Sequence, residues 1–294
     1  MTPELALSAC RFLHDAAAML LWGAFGYLVL LVPCRLADDI AGRLSGLRTA
    51  AILVAAATVF AALPIQTALI GDGWADAFDG AMLRDVVTGT SVGTAWLWQA
   101  IPSAALLLTL GPRCRFHSGA TALLAGMAVV ALAAGGHARM NEGWQAVIHP
   151  ANDALHGLAA GAWLGALVPL LPILARLSTA GWRADAALAL KRFSTGGHIA
   201  VALVVVTGIF NSFMIVGWPL GLSPPYRALL TAKLAVVATM TAIALLNRYG
   251  FVPRIGADKD RAVRAIAIGT IVEIGLGLAA ILLVAIFGMM DPGG

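Results

Sequence analysis

Long apolar runs separated by short polar stretches dominate the chain. A helix that crosses a bilayer needs about 20 mostly apolar residues. Eight runs fit this length, at residues 5–32, 47–70, 91–111, 118–134, 152–175, 196–217, 228–246 and 262–288. The segments between them are predicted to be loops, none long enough to form a soluble domain. We therefore predict an all-α fold, a polytopic membrane helix bundle of about eight transmembrane helices that forms a single integral membrane domain over residues 1–294.

The composition supports this fold. Hydrophobic residues make up 60% of the chain and charged residues 12%, whereas soluble domains contain about 45–50% and about 25%. So few polar residues cannot cover a surface that faces water, so the predicted partner of the chain is the lipid bilayer. The sequence has no stripe of basic residues of the kind that binds nucleic acid, and no nucleic-acid partner is expected.

The basic residues are distributed unevenly between the two sides. The loops after the first, third, fifth and seventh predicted spans hold fourteen of the 19 Lys and Arg residues, and the opposite side holds four. The four are Arg11, Arg84, Arg139 and Arg227. Because cytoplasmic loops are enriched in Lys and Arg, both termini are predicted to lie on the periplasmic side of a bacterial inner membrane.

Metal-ligand side chains gather at the predicted outer face. Three of the six histidines fall within twenty residues around the start of the fifth span, with a methionine among them. Imidazole and thioether groups suit copper, and Met favours Cu(I). With the histidine of the first helix and two methionines after the last, the candidate metal ligands are His14, His137, Met140, His149, His156, Met289 and Met290.

Four charged residues lie at predicted membrane depth, where charge is costly and usually functional. Asp15 can pair with Arg11 four residues earlier, and Asp153 shares a helix face with His156. Glu273 lies near the middle of the last span. It can form a structural ion pair with Lys233 or handle protons or cations, and the sequence leaves both open. These four residues are predicted to balance charge along a path for metal.

Several short motifs, in order, resemble one known family. They are Arg11-Phe12-Leu13-His14, Gly136-His137-Ala138, His156 with Trp163-Leu164-Gly165-Ala166-Leu167, Arg192-Phe193-Ser194, Thr207-Gly208, Tyr226, Lys233-Leu234 and Asn247. Together they resemble the copper resistance protein D family of bacterial inner-membrane proteins, most closely over residues 118–290. A departure is Gly165-Ala166-Leu167 where the family usually has Gly-Gly-Leu. The resemblance implies copper handling, import rather than export, and a periplasmic copper-binding partner of the copper resistance protein C type.

The expected function is therefore copper transport and homeostasis, from the periplasm toward the cytoplasm, through a His/Met site at the outer face. The sequence contains no Walker motif and no Cys-Pro-Cys motif, so neither an ATP-driven pump nor an enzyme is expected. Two alternatives stay open. One is a membrane redox protein with b-type haem, for which His14, His156 and His198 are candidate axial ligands. The other is a non-transporting membrane dock for a periplasmic copper chaperone.

Overall fold

The computed structural model describes residues 1–111, 115–135, 143–216 and 223–290, and the regular structure within these ranges is helical throughout. The α-helices are α1 Pro3–Leu30, α2 Cys34–Arg43, α3 Ser45–Ile70, α4 Gly80–Gly89, α5 Ser91–Leu107, α6 Arg115–Leu132, α7 Gln145–Arg176, α8 Arg183–Val216, α9 Pro224–Leu245 and α10 Lys259–Phe287. A π-helical turn, Leu246–Phe251, and a short 3₁₀ segment, Val252–Gly256, follow α9.

Each predicted span coincides with a helix, and the all-helical membrane fold is confirmed. Within the described residues, six helices are long and apolar enough to cross a membrane, namely α1, α3, α7, α8, α9 and α10. The third and fourth predicted spans correspond to α5, which has 17 residues, and to the shorter apolar stretch His117–Leu132 of α6. The number of eight spans and the side of the termini therefore remain predictions.

Two segments predicted to be loops are helical instead. The short helix α2 forms because Leu36, Ala37 and Ile40 bury one of its faces against the bundle. In α4, the side chain of Asp79 caps the first turn, accepting hydrogen bonds from the backbone N–H groups of Ala81 at 2.8 Å and Met82 at 3.0 Å. A carboxylate at this position satisfies N–H groups that the helix leaves without partners.

Helix α1 lies at the centre, packed against α3, α6, α7 and α10. Its closest neighbour is α7, because glycines line the crossing. A Cβ atom added to Gly23 would collide with the backbone at Gly161 and would lie 2.7 Å from the Cα atom of Gly165. Gly161 and Gly165 form a Gly-x-x-x-Gly motif, which lets membrane helices approach closely. The Trp22 indole N–H also donates to the Leu158 carbonyl at 2.9 Å across this crossing.

The later helices expose apolar surface. Over its most apolar stretch, the helical segment from Pro224 to Gly256 is only 6% buried within the chain, compared with 56% for α1. Leu234 and Leu246 are each 55% exposed. Large apolar side chains on a helix this open have to face an apolar solvent, which is consistent with contact with lipid.

Charged residues join helix ends on the side away from the chain's amino terminus. The Asp39 carboxylate accepts hydrogen bonds from Arg176 at 2.6 Å and Arg43 at 3.2 Å. Partial burial raises the pKa of Asp39, but the hydrogen bonds and charges of these two arginines outweigh it and hold that pKa below its ordinary value. Arg192 donates to the Leu31 carbonyl at 3.3 Å. Basic residues from two loops that the sequence assigns to one side therefore meet at one end of the bundle.

Candidate functional site

A cavity of about 250 Å³ opens between α1, α6, α7, α8, α9 and α10 at the end where α1 begins. We call it the histidine cavity. Its polar lining consists mainly of Arg11, Asp15, His149, Asp153, His156, Asn211, Ser212, Tyr226 and Lys233. Four predicted site residues from α7 and α9 therefore meet here, with Asp15 of α1 opposite them.

His156 is held in a defined orientation. Its Nδ1 atom lies 2.9 Å from the Thr207 hydroxyl oxygen, and that hydroxyl donates its own proton to the carbonyl of Leu203 one turn earlier. Thr207 is therefore left to accept, so Nδ1 carries the proton and Nε2 keeps a lone pair. Gly208 makes room for the ring, because a Cβ atom there would lie 3.2 Å from His156 Cε1. This arrangement directs the Nε2 lone pair away from Thr207.

An amide network connects this histidine to a carboxylate. Asn152 donates to the Thr207 carbonyl at 2.9 Å and to the Asn211 side-chain oxygen at 2.7 Å. Asn211 in turn donates to the Asp153 carboxylate at 3.0 Å. Hydrogen bonds of this kind orient metal-binding side chains and tune their basicity. The partnership of Thr207 with His156 is not predictable from spacing, because it joins residues 51 positions apart.

Two cationic and two anionic side chains line the histidine cavity. Lys233 lies 5.8 Å from the centre of the Phe287 ring and interacts electrostatically with Asp153. The predicted Arg11–Asp15 ion pair does not form. Arg11 instead donates to the Gly288 carbonyl at 3.4 Å, and Asp15 has no salt bridge among the described residues.

His14 lies apart from the histidine cavity, although it is adjacent to Asp15 in sequence. It is 4% exposed, and its Nδ1 atom lies 3.1 Å from the Ala55 carbonyl and 3.3 Å from the Thr58 hydroxyl of α3. A carbonyl can only accept, so Nδ1 carries the proton. The remaining nitrogen, Nε2, is buried without a hydrogen-bond partner.

The remaining candidate ligands are distributed differently. His149 is 1% exposed and lines the histidine cavity. Met289 lies beside the cavity end of α1, where its sulfur accepts a hydrogen bond from Ser8 at 3.2 Å, and Met290 follows it. His137 and Met140 lie outside the described residues. Among the residues that the structure does describe, no group of three His, Cys, Asp or Glu side chains is close enough to hold a metal ion.

A second cavity of about 220 Å³ lies at the opposite end of helices α7 to α10. We call it the glutamate cavity, because Glu273 lines it together with Asn247, Thr270, His198 and Arg248. The pairing of Glu273 with Lys233 that the sequence left open does not form, since Lys233 lies in the histidine cavity. Trp163 of α7, 5% exposed, lines both cavities.

The three histidines proposed as haem ligands do not converge. His14 faces α3, His156 lines the histidine cavity and His198 lines the glutamate cavity. Both ring nitrogens of His198 are engaged, with the Ser194 carbonyl at 2.6 Å and the Tyr249 hydroxyl at 3.1 Å. The geometry therefore offers no pair of these histidines for one haem.

Two family models match the chain. Residues 1–148 match the model described as copper resistance protein D-like, N-terminal domain. Residues 187–287 match the model described as copper resistance protein D. No solved structure matches the chain.

Three curated proteins are similar to the chain. The inner membrane protein YebZ of Escherichia coli (strain K12) is 34% identical over 284 residues, which cover 97% of each chain. Copper resistance protein D of Pseudomonas syringae pv. tomato is 31% identical over 231 residues, covering 74% of each. Copper transport protein CutJ of Bacillus subtilis (strain 168) is 30% identical over 167 residues, covering 52% of this chain and 30% of that protein.

The motifs, the membrane helices and these matches agree. The chain belongs to the copper resistance protein D family and is a multi-pass protein of the inner membrane.

Proposed function

We propose that the chain transports copper from the periplasm toward the cytoplasm through the histidine cavity, without catalysing a reaction. The observation that carries this proposal is the meeting of His149 and His156 with Asp15 and Asp153 in one cavity between membrane helices. Imidazole nitrogens bind copper in either oxidation state. The names of two relatives, copper resistance protein D and copper transport protein CutJ, point to the same metal.

His156 is the central ligand in this proposal. Its Nε2 lone pair is available, and the hydrogen bond from Nδ1 to Thr207 holds the ring in place. His149 supplies a second imidazole in the same cavity. Met289, beside Gly288 at the cavity end, supplies a soft sulfur where Cu(I) would enter. His137 and Met140 belong to the same proposed entrance by their position in the sequence.

The charges of the histidine cavity set a condition on metal entry. Arg11 and Lys233 are formally balanced by Asp15 and Asp153, so a copper ion adds charge to a cavity that is otherwise neutral. Uncompensated charge within a membrane is costly. Asp15, which has no salt bridge among the described residues, is the side chain best able to offset the metal.

The proposal includes the topology of eight spans with both termini in the periplasm. A helix of 17 residues is about 26 Å long, near the thickness of a bilayer core, so α5 and α6 can serve as the third and fourth spans. The histidine cavity then opens to the periplasm, where a partner of the copper resistance protein C type would deliver the metal. Labelling of single cysteines from outside intact cells tests this orientation. We expect a cysteine placed at residue 2 to be labelled and one placed at residue 38 to remain unlabelled. The reverse result would invert the proposed orientation.

Copper uptake into vesicles that contain the purified chain tests the transport function. The wild-type chain is expected to accumulate copper, and His156→Ala is expected to reduce uptake to the level of empty vesicles. His117→Ala is the matched control, since His117 lines neither cavity. Unchanged uptake in both His156→Ala and His149→Ala would show that the site is wrong.

The same preparation separates the two alternatives. A dock for a chaperone would bind its partner yet move no copper into vesicles. A haem protein would show an intense Soret band in its absorbance spectrum, and this band would weaken when an axial histidine is removed. We expect copper uptake and no Soret band.

A further inference from the structure

The glutamate cavity has a feature that the proposed copper route does not use. Three of its side chains carry a buried oxygen atom without a hydrogen-bond partner: Glu273 through Oε1, Asn247 through Oδ1 and Thr270 through Oγ1. The three residues are 2%, 8% and 1% exposed. Buried polar atoms without partners are rare in folded proteins and each costs about 1–3 kcal/mol. Three that line one cavity point to a small hydrogen-bonding ligand.

The backbone places these three side chains on the wall of one cavity. Thr270 and Glu273 lie three residues apart on α10, so they share a helix face. Asn247 lies in the π-helical turn after α9, a rare local geometry that is frequent at functional sites. The Asn247 amide packs against α10 at Gly269, where a Cβ atom would lie 2.6 Å from Nδ2. It also lies within interaction range of the Glu273 carboxylate.

The other groups that line the cavity and can carry charge are already engaged. His198 uses both ring nitrogens, with Ser194 and Tyr249. Arg248 donates to the Ser194 hydroxyl and lies over the Tyr249 ring. No titratable side chain of α7 lines the glutamate cavity. The unpartnered oxygens therefore have no cation among the described residues to satisfy them.

The chemistry of the three oxygens indicates what the ligand is. A carboxylate oxygen and an amide oxygen only accept hydrogen bonds, so Glu273 Oε1 and Asn247 Oδ1 cannot pair with each other while Glu273 is ionised. Ca²⁺ takes six to eight oxygen ligands, and Mg²⁺ demands near-ideal octahedral geometry, whereas these three side chains offer one carboxylate and two neutral oxygens. One proton on Glu273 supplies the missing donor and removes the uncompensated charge. The cavity has room for several water molecules, and water can bring the proton to the carboxylate from the partly exposed side of His198 and Arg248.

We propose that the glutamate cavity is a reversible proton-binding site, in which Glu273 takes up a proton from water as a neutral carboxylic acid hydrogen-bonded to Asn247 and releases it again as a carboxylate. The site lies at the end of the bundle opposite the histidine cavity. Only the further step, in which this proton is the ion coupled to copper movement, rests on the proposed function. The proton site itself does not.

Infrared spectroscopy of the purified full-length chain, free of copper, tests the site over a range of pH. We expect a carboxylic acid C=O band that disappears as the pH rises and is lost in Glu273→Gln. The band should be retained in Asp15→Asn and Asp153→Asn, which remove the other membrane carboxylates. Asn247→Leu should shift its frequency, because the acceptor of its hydrogen bond is gone.

Other results would overturn the proposal. A Glu273 band that is present at every pH would mean a permanently protonated structural group. A band that is visible only when Na⁺ is replaced by choline would mean an alkali-cation site. The absence of any band that Glu273→Gln removes, in a variant that elutes as a single folded species, would mean that Glu273 binds no proton. Because the measurement contains no copper, its outcome is independent of the transport assay.

Discussion

The two cavities share the helices α7 to α10 and lie at opposite ends of them, yet their polar side chains differ in hydrogen bonding. In the histidine cavity, hydrogen bonds connect His156 and Thr207, through Asn152 and Asn211, to Asp153. In the glutamate cavity, three buried oxygens have no partner. A connected network orients ligand atoms before the ligand binds. Buried oxygens without partners are instead stabilised when a proton or a water molecule binds to them. The first arrangement suits selection of a metal, and the second suits exchange of a proton.

The walls of the cavities differ as well. Helix α1 contributes Arg11, Asp15 and Met19 to the histidine cavity and no residue to the glutamate cavity. A substitution that disturbs the contact between α1 and α7 should therefore impair the histidine cavity and leave the glutamate cavity intact.

The largest effect is expected for Gly23→Ala. Its Cβ would collide with the α7 backbone at Gly161, and because backbone cannot yield as a side chain does, we expect a loss of about 3 kcal/mol of stability. Copper binding should weaken severely while the Glu273 infrared band persists in the protein that remains folded. Gly26→Ala is the control, since its Cβ would lie at an ordinary 3.7 Å from Trp22. Equal melting temperatures for the two variants would contradict the close packing.

Removing the support of His156 comes next. Thr207→Val keeps the shape of the side chain but removes the acceptor for Nδ1–H, and supporting hydrogen bonds of this kind are typically worth 10–100-fold in metal affinity. We expect Cu(I) affinity, measured by competition with a chelator, to fall by about that factor. Thr207→Ser retains the hydroxyl and should bind like the wild type. If the Val and Ser variants bind equally well, Thr207 does not orient the ligand.

The same threonine-to-valine substitution in the glutamate cavity should stabilise the folded chain. Thr270→Val removes a buried hydroxyl that has no partner, so we expect a gain of about 1 kcal/mol in stability and unchanged copper affinity. Thermal unfolding of the two Val variants, side by side, measures the contrast between the cavities. Destabilisation of Thr270→Val would show that water or another group already satisfies this hydroxyl.

The smallest effect concerns Asp39, at the glutamate-cavity end of the bundle. Because its folded-state pKa is lowered, its stabilising contribution is present above its unfolded pKa of about 3.9 and is lost as the pH falls through the folded value. Asp39→Asn should cost no more than about 1 kcal/mol near neutral pH, and nothing in strong acid. Unfolding at several pH values, with Asp38→Asn as control, measures the difference. A cost that is independent of pH would rule out the ion pair with Arg176 as its source.

Hydropathy alone locates the spanning helices, because a lipid environment demands long apolar runs. It cannot give the rotation of a helix about its axis. His14 and Asp15 are neighbours, yet successive residues of a helix point about 100° apart, so one faces α3 and the other faces the histidine cavity. Contacts such as the close packing of Gly23 against Gly161 accompany that rotation, and they join residues far apart in sequence.

The positions of Glu273 and Lys233 along their helices explain why these two side chains do not pair. Lys233 lies nine positions after the start of α9 and Glu273 lies fourteen positions before the end of α10. At 1.5 Å per residue these are about 14 Å and about 21 Å from the same end of the bundle. The two side chains are therefore offset along the membrane normal, whereas spacing correctly placed Asp153 and His156 on one face because both lie on a single helix.

Trp163, shared by the two cavities, has a kinetic consequence. Its indole ring is 5% exposed and packs in an apolar cluster with Val204 of α8 and Met240 of α9. On a route through this shared wall, a solute that passes from one cavity to the other would have to displace the ring. Passage of each ion would then require a conformational change of the protein. The flux would be limited by the rate of that change and would saturate with the concentration of the ion. Such a chain would turn over as a carrier does, one conformational cycle per ion, and would not conduct like an open pore.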